Sequence, residues 1–230
     1  TQIINGMNRE TLVRPYMLFN EQLFRFEIHR TCDGNYLFLD IHHIVADGTS
    51  LGIILNDINR AYSGEKLEVE EYTSYDLALD NRDALASDAY KNAENYYKSV
   101  FENAGGSINF YPDKSGAAPT AEMYHRETSE FSVQDVKAFC KKHGITENVF
   151  FISAFGITLG KYNFRKDAVF TTIYHGRNDS RLSDTVGMLV KTLPVYCDFS
   201  GSTADCLNAV QQQLINSMNN DIYPFSQISH

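Results

Sequence analysis

The 230 residues contain no tryptophan, only five prolines, and four cysteines at scattered positions. Cys32, Cys140, Cys197 and Cys206 form no CxxC pair, so they read as buried thiols rather than a zinc site or a disulfide framework. Basic side chains are in short supply as well. Twenty Lys and Arg stand against 29 Asp and Glu, the formal net charge is −9, and no run of Lys and Arg is longer than two. A nucleic-acid binder carries a basic face, and none is legible here. No apolar stretch approaches the roughly 20 residues of a membrane span. The opening TQIINGMNRE lacks the basic start and apolar run of a signal peptide. These absences lead us to expect a soluble, cytoplasmic protein without nucleic-acid or membrane partners. Apolar material is plentiful, with 43% hydrophobic and 13% aromatic residues, enough for one large domain or two small lobes.

Leu23 to His29 alternates, with Phe24, Phe26 and Ile28 on one face, the pattern of a half-buried strand. Asp33-Gly34 supplies a hairpin turn, and Tyr36 to His42 continues as a second strand. Beyond the polar loop Ala46-Asp47-Gly48-Thr49, Leu51, Ile54, Leu55 and Ile58 have helical spacing, with Thr49 or Ser50 expected as the N-cap and Gly64 closing the turn that follows. Further helices are expected from Thr73 or Ser74 to Leu85 and from Ser87 to Phe101. In the latter, Tyr90, Tyr96, Tyr97 and Phe101 read as packing rather than a stacking platform. The stretch 103–120, with Gly105, Gly106, Gly116, Pro112 and Pro119, is the most loop-like in the chain and the expected boundary between two lobes, 1–110 and 111–230. A strand over Glu122 to Phe131 follows, then helices capped by Ser132 and Thr146. Strands over Ala168 to Tyr174 and Met188 to Phe199 precede a last helix from Thr203. The elements intermix without strict alternation. The fold class is α/β (or α+β), with a first lobe that looks incomplete because only two strands precede its helices.

The sharpest feature is His42-His43-Ile44-Val45-Ala46-Asp47-Gly48, where a strand ends and a helix begins. Adjacent strand residues point to opposite faces, so the two histidines are poorly placed to grip one metal ion, and no metal is expected. One imidazole can instead face a reaction channel while the other fixes the turn. Imidazoles titrate near neutrality and suit proton transfer from an attacking amine, hydroxyl or thiol. Asp47 can orient the turn through a buried ion pair, and Gly48 can let the backbone bend tightly toward a ligand. No GxSxG elbow accompanies the motif, and no cysteine sits in an evident nucleophilic setting. Direct attack of one substrate upon another fits better than a covalent enzyme intermediate. His125, His143, His175 and His230 are dispersed and read as surface or loop residues, with His175 set apart by its place just before Gly176-Arg177.

HHxxxDG is also the signature of the chloramphenicol acetyltransferase-like acyltransferases, and the surrounding sequence resembles one branch of them, the condensation domains of nonribosomal peptide synthetases. Tyr75-Asp76-Leu77-Ala78 resembles that branch's Y-x-D-[YF]-A box. Thr146 to Gly160 resembles its T-x-x-x-x-[LF]-x-A-A-F helix. Gly176-Arg177, followed by Val186 to Leu193, resembles GR…VG-x-[FL]-V-N-T-L, and Asn220 to Phe225 resembles [HN]-Q-D-x-P-F-[ED]. Thr49, Lys191 and Ser226 depart from the usual Trp, Asn and acidic residue.

The resemblance implies a two-lobed fold of mixed sheets and flanking helices. Boxes normally found before and after this region are missing, so both lobes are expected to be incomplete and the chain to be the central part of a larger domain. The implied reaction is amide-bond formation, in which a carrier-bound acceptor amine attacks a carrier-bound acyl thioester; a free-standing acyl-CoA-type acyltransferase of the same superfamily and a non-catalytic carrier-protein-binding scaffold are the alternatives. His43 would be the catalytic residue, supported by His42, Asp47 and Gly48, with Arg177 as the candidate partner of Asp47. No cofactor would bind directly, since both substrates ride on phosphopantetheine. The implied partners are donor and acceptor carrier domains and a neighbouring adenylation domain.

Overall fold

In a computed structural model, the described residues are 2–102, 104, 106, 109–110, 123, 125 and 127–228. They divide into two compact units, one of residues 1–82 and 175–190, the other of 83–174 and 191–230. The expected lobe boundary at 110/111 and most of the loop 103–120 lie outside the described residues.

The first unit opens with β1 (Gln2–Asn5), which pairs in parallel with β2 (Phe24–Arg30), placing Gln2 opposite Glu27 and Asn5 opposite Arg30. β2 runs antiparallel to β3 (Asn35–Ile41) through the Asp33-Gly34 hairpin, where the Thr31 N–H donates to the Gly34 carbonyl at 2.9 Å. The sheet therefore has three strands rather than the two read from sequence. β1 is only four residues long, and its partner lies more than twenty residues downstream, so no local alternation announces it.

The face of β2 that is buried also differs from expectation. Phe24 is 48% exposed, whereas Glu27 and His29, on the opposite face, are each 4% exposed. Two partners make this tolerable. Arg14 pairs with Glu27, and His29 Nε2 lies 3.1 Å from the second Glu27 oxygen while Nδ1 meets the Gly6 carbonyl at 3.0 Å. Burial works against the Glu27 carboxylate, but the hydrogen bonds from Arg14 and His29 outweigh it and hold the group below its ordinary range. Helix α1 (Gly48–Tyr62) follows the motif turn, and α2 (Ser74–Ala84) starts with the Asp76 carboxylate accepting from the Thr73 N–H and hydroxyl.

The second unit holds α3 (Asp88–Phe101), α4 (Val133–His143), α5 (Glu147–Tyr162), β4 (Asp167–Tyr174), β5 (Lys191–Asp198), α6 (Thr203–Asn219) and the single turn α7 (Phe225–Ile228). β4 and β5 pair antiparallel, from Asp167 opposite Asp198 to Tyr174 opposite Lys191. The connection between them, 175–190, belongs to the first unit. The described residues of the expected strand 122–131 (123, 125 and 127–131) lie in no strand, while 122, 124 and 126 are outside the described residues.

Ser132 and Asp135 close a capping box on α4, and Ser202 and Asp205 close another on α6. The apolar core is here: Val136, Ile145, Val149, Ile152, Val195, Leu207, Val210 and Leu214 pack together with Cys140, Cys197 and Cys206. Helix α5 approaches the β4–β5 pair through glycine, since a Cβ on Gly160 would stand 2.8 Å from the Asp167 carbonyl. The α3 tyrosines pack against α6. Tyr97, 3% exposed, donates to the Ser217 carbonyl at 3.1 Å, and Tyr96 donates to the Gln213 carbonyl at 3.1 Å.

Candidate functional site

The motif turn lies wholly in the first unit. β3 ends at Ile41, and the His42 N–H still donates to the Leu23 carbonyl at 2.9 Å. The chain then reverses through a tight turn in which the Val45 N–H reaches the His42 carbonyl at 3.1 Å. The two histidines part here. His42 is half-buried, its Nδ1 accepts from the Ile44 N–H at 3.1 Å, and Tyr16 meets its ring edge-on at 5.7 Å. That bond places the proton of a neutral His42 on Nε2 and commits the ring to the turn. His43, next in the chain, is exposed.

Beneath the turn, Asp47 is 3% exposed and serves as the N-cap of α1, its Oδ1 accepting from the Ser50 N–H at 2.8 Å. Sequence reasoning put the cap at Thr49 or Ser50, two or three residues too late. An aspartate in extended backbone just before the helix satisfies an otherwise unpaired first-turn N–H, and Ser50 already lies inside the helix. Gly48 begins α1 without a left-handed backbone, and nothing stands within 4 Å of where its Cβ would be. The bend is made by residues 42–46 and the Asp47 cap, so the fold itself does not require the glycine expected there.

Arg177 lies 130 residues away in sequence but in the same unit, because 175–190 returns to it. Its Nη2 donates to Asp47 Oδ1 at 3.0 Å, with the side chains 5% and 0% exposed. Its Nη1 donates to the carbonyls of Leu182 and Thr185, both at 2.8 Å. Asp47 Oδ2 accepts from the Leu189 N–H at 3.1 Å, and the Asp47 N–H donates to the Gly187 carbonyl at 3.2 Å.

Ser50 completes the knot. Its hydroxyl lies 2.8 Å from Asp47 Oδ1 and 2.8 Å from the Gly187 carbonyl, and it accepts from the Gly187 N–H at 3.0 Å and from Arg177 Nη2 at 3.1 Å. Gly187 is needed for this approach, because a Cβ there would stand 2.7 Å from Leu189 Cδ1 and 3.1 Å from Ser74 Cβ. Burial pushes the Asp47 carboxyl up. The Ser50 N–H and hydroxyl, the Leu189 N–H and Arg177 more than offset it, and the group sits below its ordinary value.

The structure thus brings Asp47 and Arg177 together and pins His42 to the turn, leaving His43 on its open side. Ser50 was read only as an alternative N-cap, and the backbone of Gly187 and Leu189 was not singled out from sequence. Ser50 had a usable signal, three residues after a cap-competent aspartate; the two backbone groups had none. His175 repeats the His42 arrangement, its Nδ1 accepting from the Arg177 N–H at 3.0 Å. His143 packs on the Phe139 ring at 4.4 Å, His125 is exposed, and His230 lies outside the described residues. Lys191 has a partner in the second unit, Asp221, at 2.9 Å, and Tyr174 donates to the same carboxylate at 3.1 Å. Among the described residues no group of His, Cys, Asp and Glu has the arrangement of a metal site, and no helix is long and apolar enough to cross a membrane.

A helix start packed over a buried Asp–Arg pair, with a histidine left exposed at the strand end, thus sits on a mixed α/β scaffold. The condensation-domain family model matches residues 1–230, and the chain belongs to that family. Bacitracin synthase 2 of Bacillus licheniformis is 28% identical over 224 residues, covering 94% of this chain and 8% of the synthase. Tyrocidine synthase 3 of Brevibacillus parabrevis is 26% identical over 227 residues, covering 95% and 4%. The chain therefore spans a small fraction of these curated relatives. Among solved structures, a four-domain nonribosomal peptide synthetase in its holo form superimposes with a TM-score of 0.78 at 19% identity, over 99% of this chain and 19% of that one. The X-domain from teicoplanin biosynthesis does so with a TM-score of 0.76 at 15% identity, over 99% and 56%. At these identities the likeness establishes a shared fold.

Proposed function

We propose that the chain supplies the histidine-bearing part of a condensation domain in a nonribosomal peptide synthetase. The observation that carries this reading is the division of labour in the motif turn: His42 and the Asp47–Arg177 pair hold it, and His43 stands free on its open side. In the proposed reaction the acceptor amine attacks the thioester carbonyl carbon. A C–N bond forms, the C–S bond breaks, and the phosphopantetheine thiolate leaves with a proton. His43 either takes the amine proton or holds the amine and offsets its developing charge. The other residues contribute by holding the turn that carries His43, so that the reacting groups meet in one geometry. Asp47 and Arg177 act by holding the turn and touch no substrate in this scheme.

The partners under this reading are the donor and acceptor carrier domains, with an adenylation domain beside them, and the setting is cytoplasmic. The test is His43→Ala in the full-length domain with both carriers loaded. Product formation should fall by at least about a hundredfold, the usual scale of a positioned acid–base group. His43→Asn separates the two roles, because an amide can hold an amine but cannot accept its proton. Unchanged turnover in His43→Ala would remove the catalytic assignment. A second reading, a non-catalytic scaffold for partner proteins, draws support from the likeness to the teicoplanin X-domain, which has been solved in complex with OxyB. Unchanged turnover is the result that reading expects.

A further inference from the structure

Two of the four cysteines meet in the core of the second unit. Cys197, next to last in β5, is 0% exposed, and Cys206, in the first turn of α6, is 2% exposed. Their sulfurs are 3.5 Å apart and unbonded. We infer that Cys197 and Cys206 form a reactive dithiol, a site that a two-electron oxidant such as hydrogen peroxide converts to a disulfide joining β5 to the start of α6.

Three features carry this. The sulfurs need to close by only about 1.5 Å to reach bonding distance. The backbone of α5 lies against Cys197, since a Cβ on Gly156 would stand 2.8 Å from both its Cβ and its Sγ. The Cys197 side chain is thereby confined on the α5 side. The connection that closes the ring runs over the surface, with Ser200 to Asp205 all exposed, so opening of that short segment admits a small oxidant without dismantling the core.

The two thiols are also electronically unequal. The hydrogen bond with Cys206 raises the Cys197 thiol, and burial adds to the rise. The first turn of a helix further favours a thiolate at Cys206. Cys206 is accordingly the attacking sulfur. Its thiolate takes the outer oxygen of the peroxide, giving a sulfenic acid and releasing hydroxide, which takes up a proton to become water. The Cys197 sulfur then displaces the sulfenic oxygen, which leaves as a second water with the Cys197 proton. Two electrons pass from the sulfurs to the peroxide, and one S–S bond forms.

The experiment treats the folded 230-residue chain with peroxide, quenches, denatures, alkylates with N-ethylmaleimide and maps the peptides by mass spectrometry. The expected product carries two fewer alkylated cysteines and a Cys197–Cys206 cross-linked peptide, and reductant restores both thiols. A parallel sample is oxidised in urea, because two cysteines nine residues apart can also meet in an unfolded chain. Cross-linking slower in native buffer than in urea would overturn the inference. So would four alkylatable thiols after treatment, or sulfinic acid at Cys206 beside a free Cys197. Cys206→Ser is expected to leave Cys197 unoxidised; oxidation of Cys197 in that variant would move the nucleophile to the wrong residue.

Discussion

Asp47→Ala should release the 187–189 segment from the start of α1. The substitution leaves Arg177, with a side chain 5% exposed, as a buried cation without its carboxylate, and it strips the acceptor from the N–H groups of Ser50 and Leu189. Removing one partner of a buried ion pair costs about 3–5 kcal/mol. The orphaned N–H groups each add up to about 1–3 kcal/mol, but they share the same carboxylate, so the figures do not sum. A loss of about 4 kcal/mol is the working value. Hydrogen exchange reads it directly, because the amides of Ser50, Gly187 and Leu189 all donate into this knot. Since about 1.4 kcal/mol is a factor of ten, their protection should drop by roughly a hundredfold to a few thousandfold.

Two controls sharpen the reasoning. Asp47→Leu with Arg177→Met replaces the pair by apolar groups and should recover part of the loss, not all, because Arg177 also serves the carbonyls of Leu182 and Thr185. Acid provides the second. Asp47 has its folded value lowered, so its contribution is present above the unfolded carboxylate value, near about 4, and is lost as pH falls through the lower folded value. Protection of the three amides should hold down to that range and then decline; the decline belonging to this group should be missing in Asp47→Ala. Protection within about tenfold of the parent in Asp47→Ala would refute the claim that the pair holds the turn.

Gly156→Ala should lower the melting temperature despite alanine's better helix propensity. Its Cβ would press on Cys197 and on Phe170 Cε1 at 2.9 Å, costing about 1–3 kcal/mol against a propensity gain of about 1 kcal/mol, whereas Gly52→Ala, with open space around it, should raise it. Tyr97→Phe should cost about 1 kcal/mol at neutral pH by leaving the Ser217 carbonyl short of a donor. Burial pushes the Tyr97 hydroxyl up to about 12, so the folded state keeps its proton while the unfolded chain ionises near about 10. Stability should therefore fall as pH rises through that window, and urea unfolding at about pH 9 and 11 should show a smaller fall in Tyr97→Phe.

Elements whose signals are local were the ones the sequence disclosed. Ser132 with Asp135, Ser87 before α3 and Thr146 before α5 each announce a helix start, because cap and capped N–H lie within one turn. β1 had no such advantage, since its pairing with β2 depends on chain more than twenty residues away. Alternation along β2 was visible, but it gave the wrong buried face. Phe24, Phe26 and Ile28 look like the interior set until Arg14 and the Gly6 carbonyl are placed beside Glu27 and His29. Hydrophobicity ranks faces only when charges stay unpaired, and here they do not.

The motif turn carries the same lesson further. Asp47 was legible as a buried ion-pair member, because a charged side chain advertises what it needs, and the family resemblance supplied Arg177 as its candidate. What actually holds Asp47 is largely anonymous: the N–H groups of Ser50 and Leu189 contribute alongside Arg177. Every residue but proline carries that donor, so no residue type marks where it will be used. Gly187 is a partial exception, since the close approach of Ser74 and Leu189 leaves no room for a Cβ. A support built mainly from main chain keeps its geometry through many side-chain changes on the 187–189 segment while remaining sensitive to Asp47, Ser50 and Gly187. Substitutions at the exposed His43, by contrast, should leave the support intact, so that loss of chemistry and loss of fold are separable at this site.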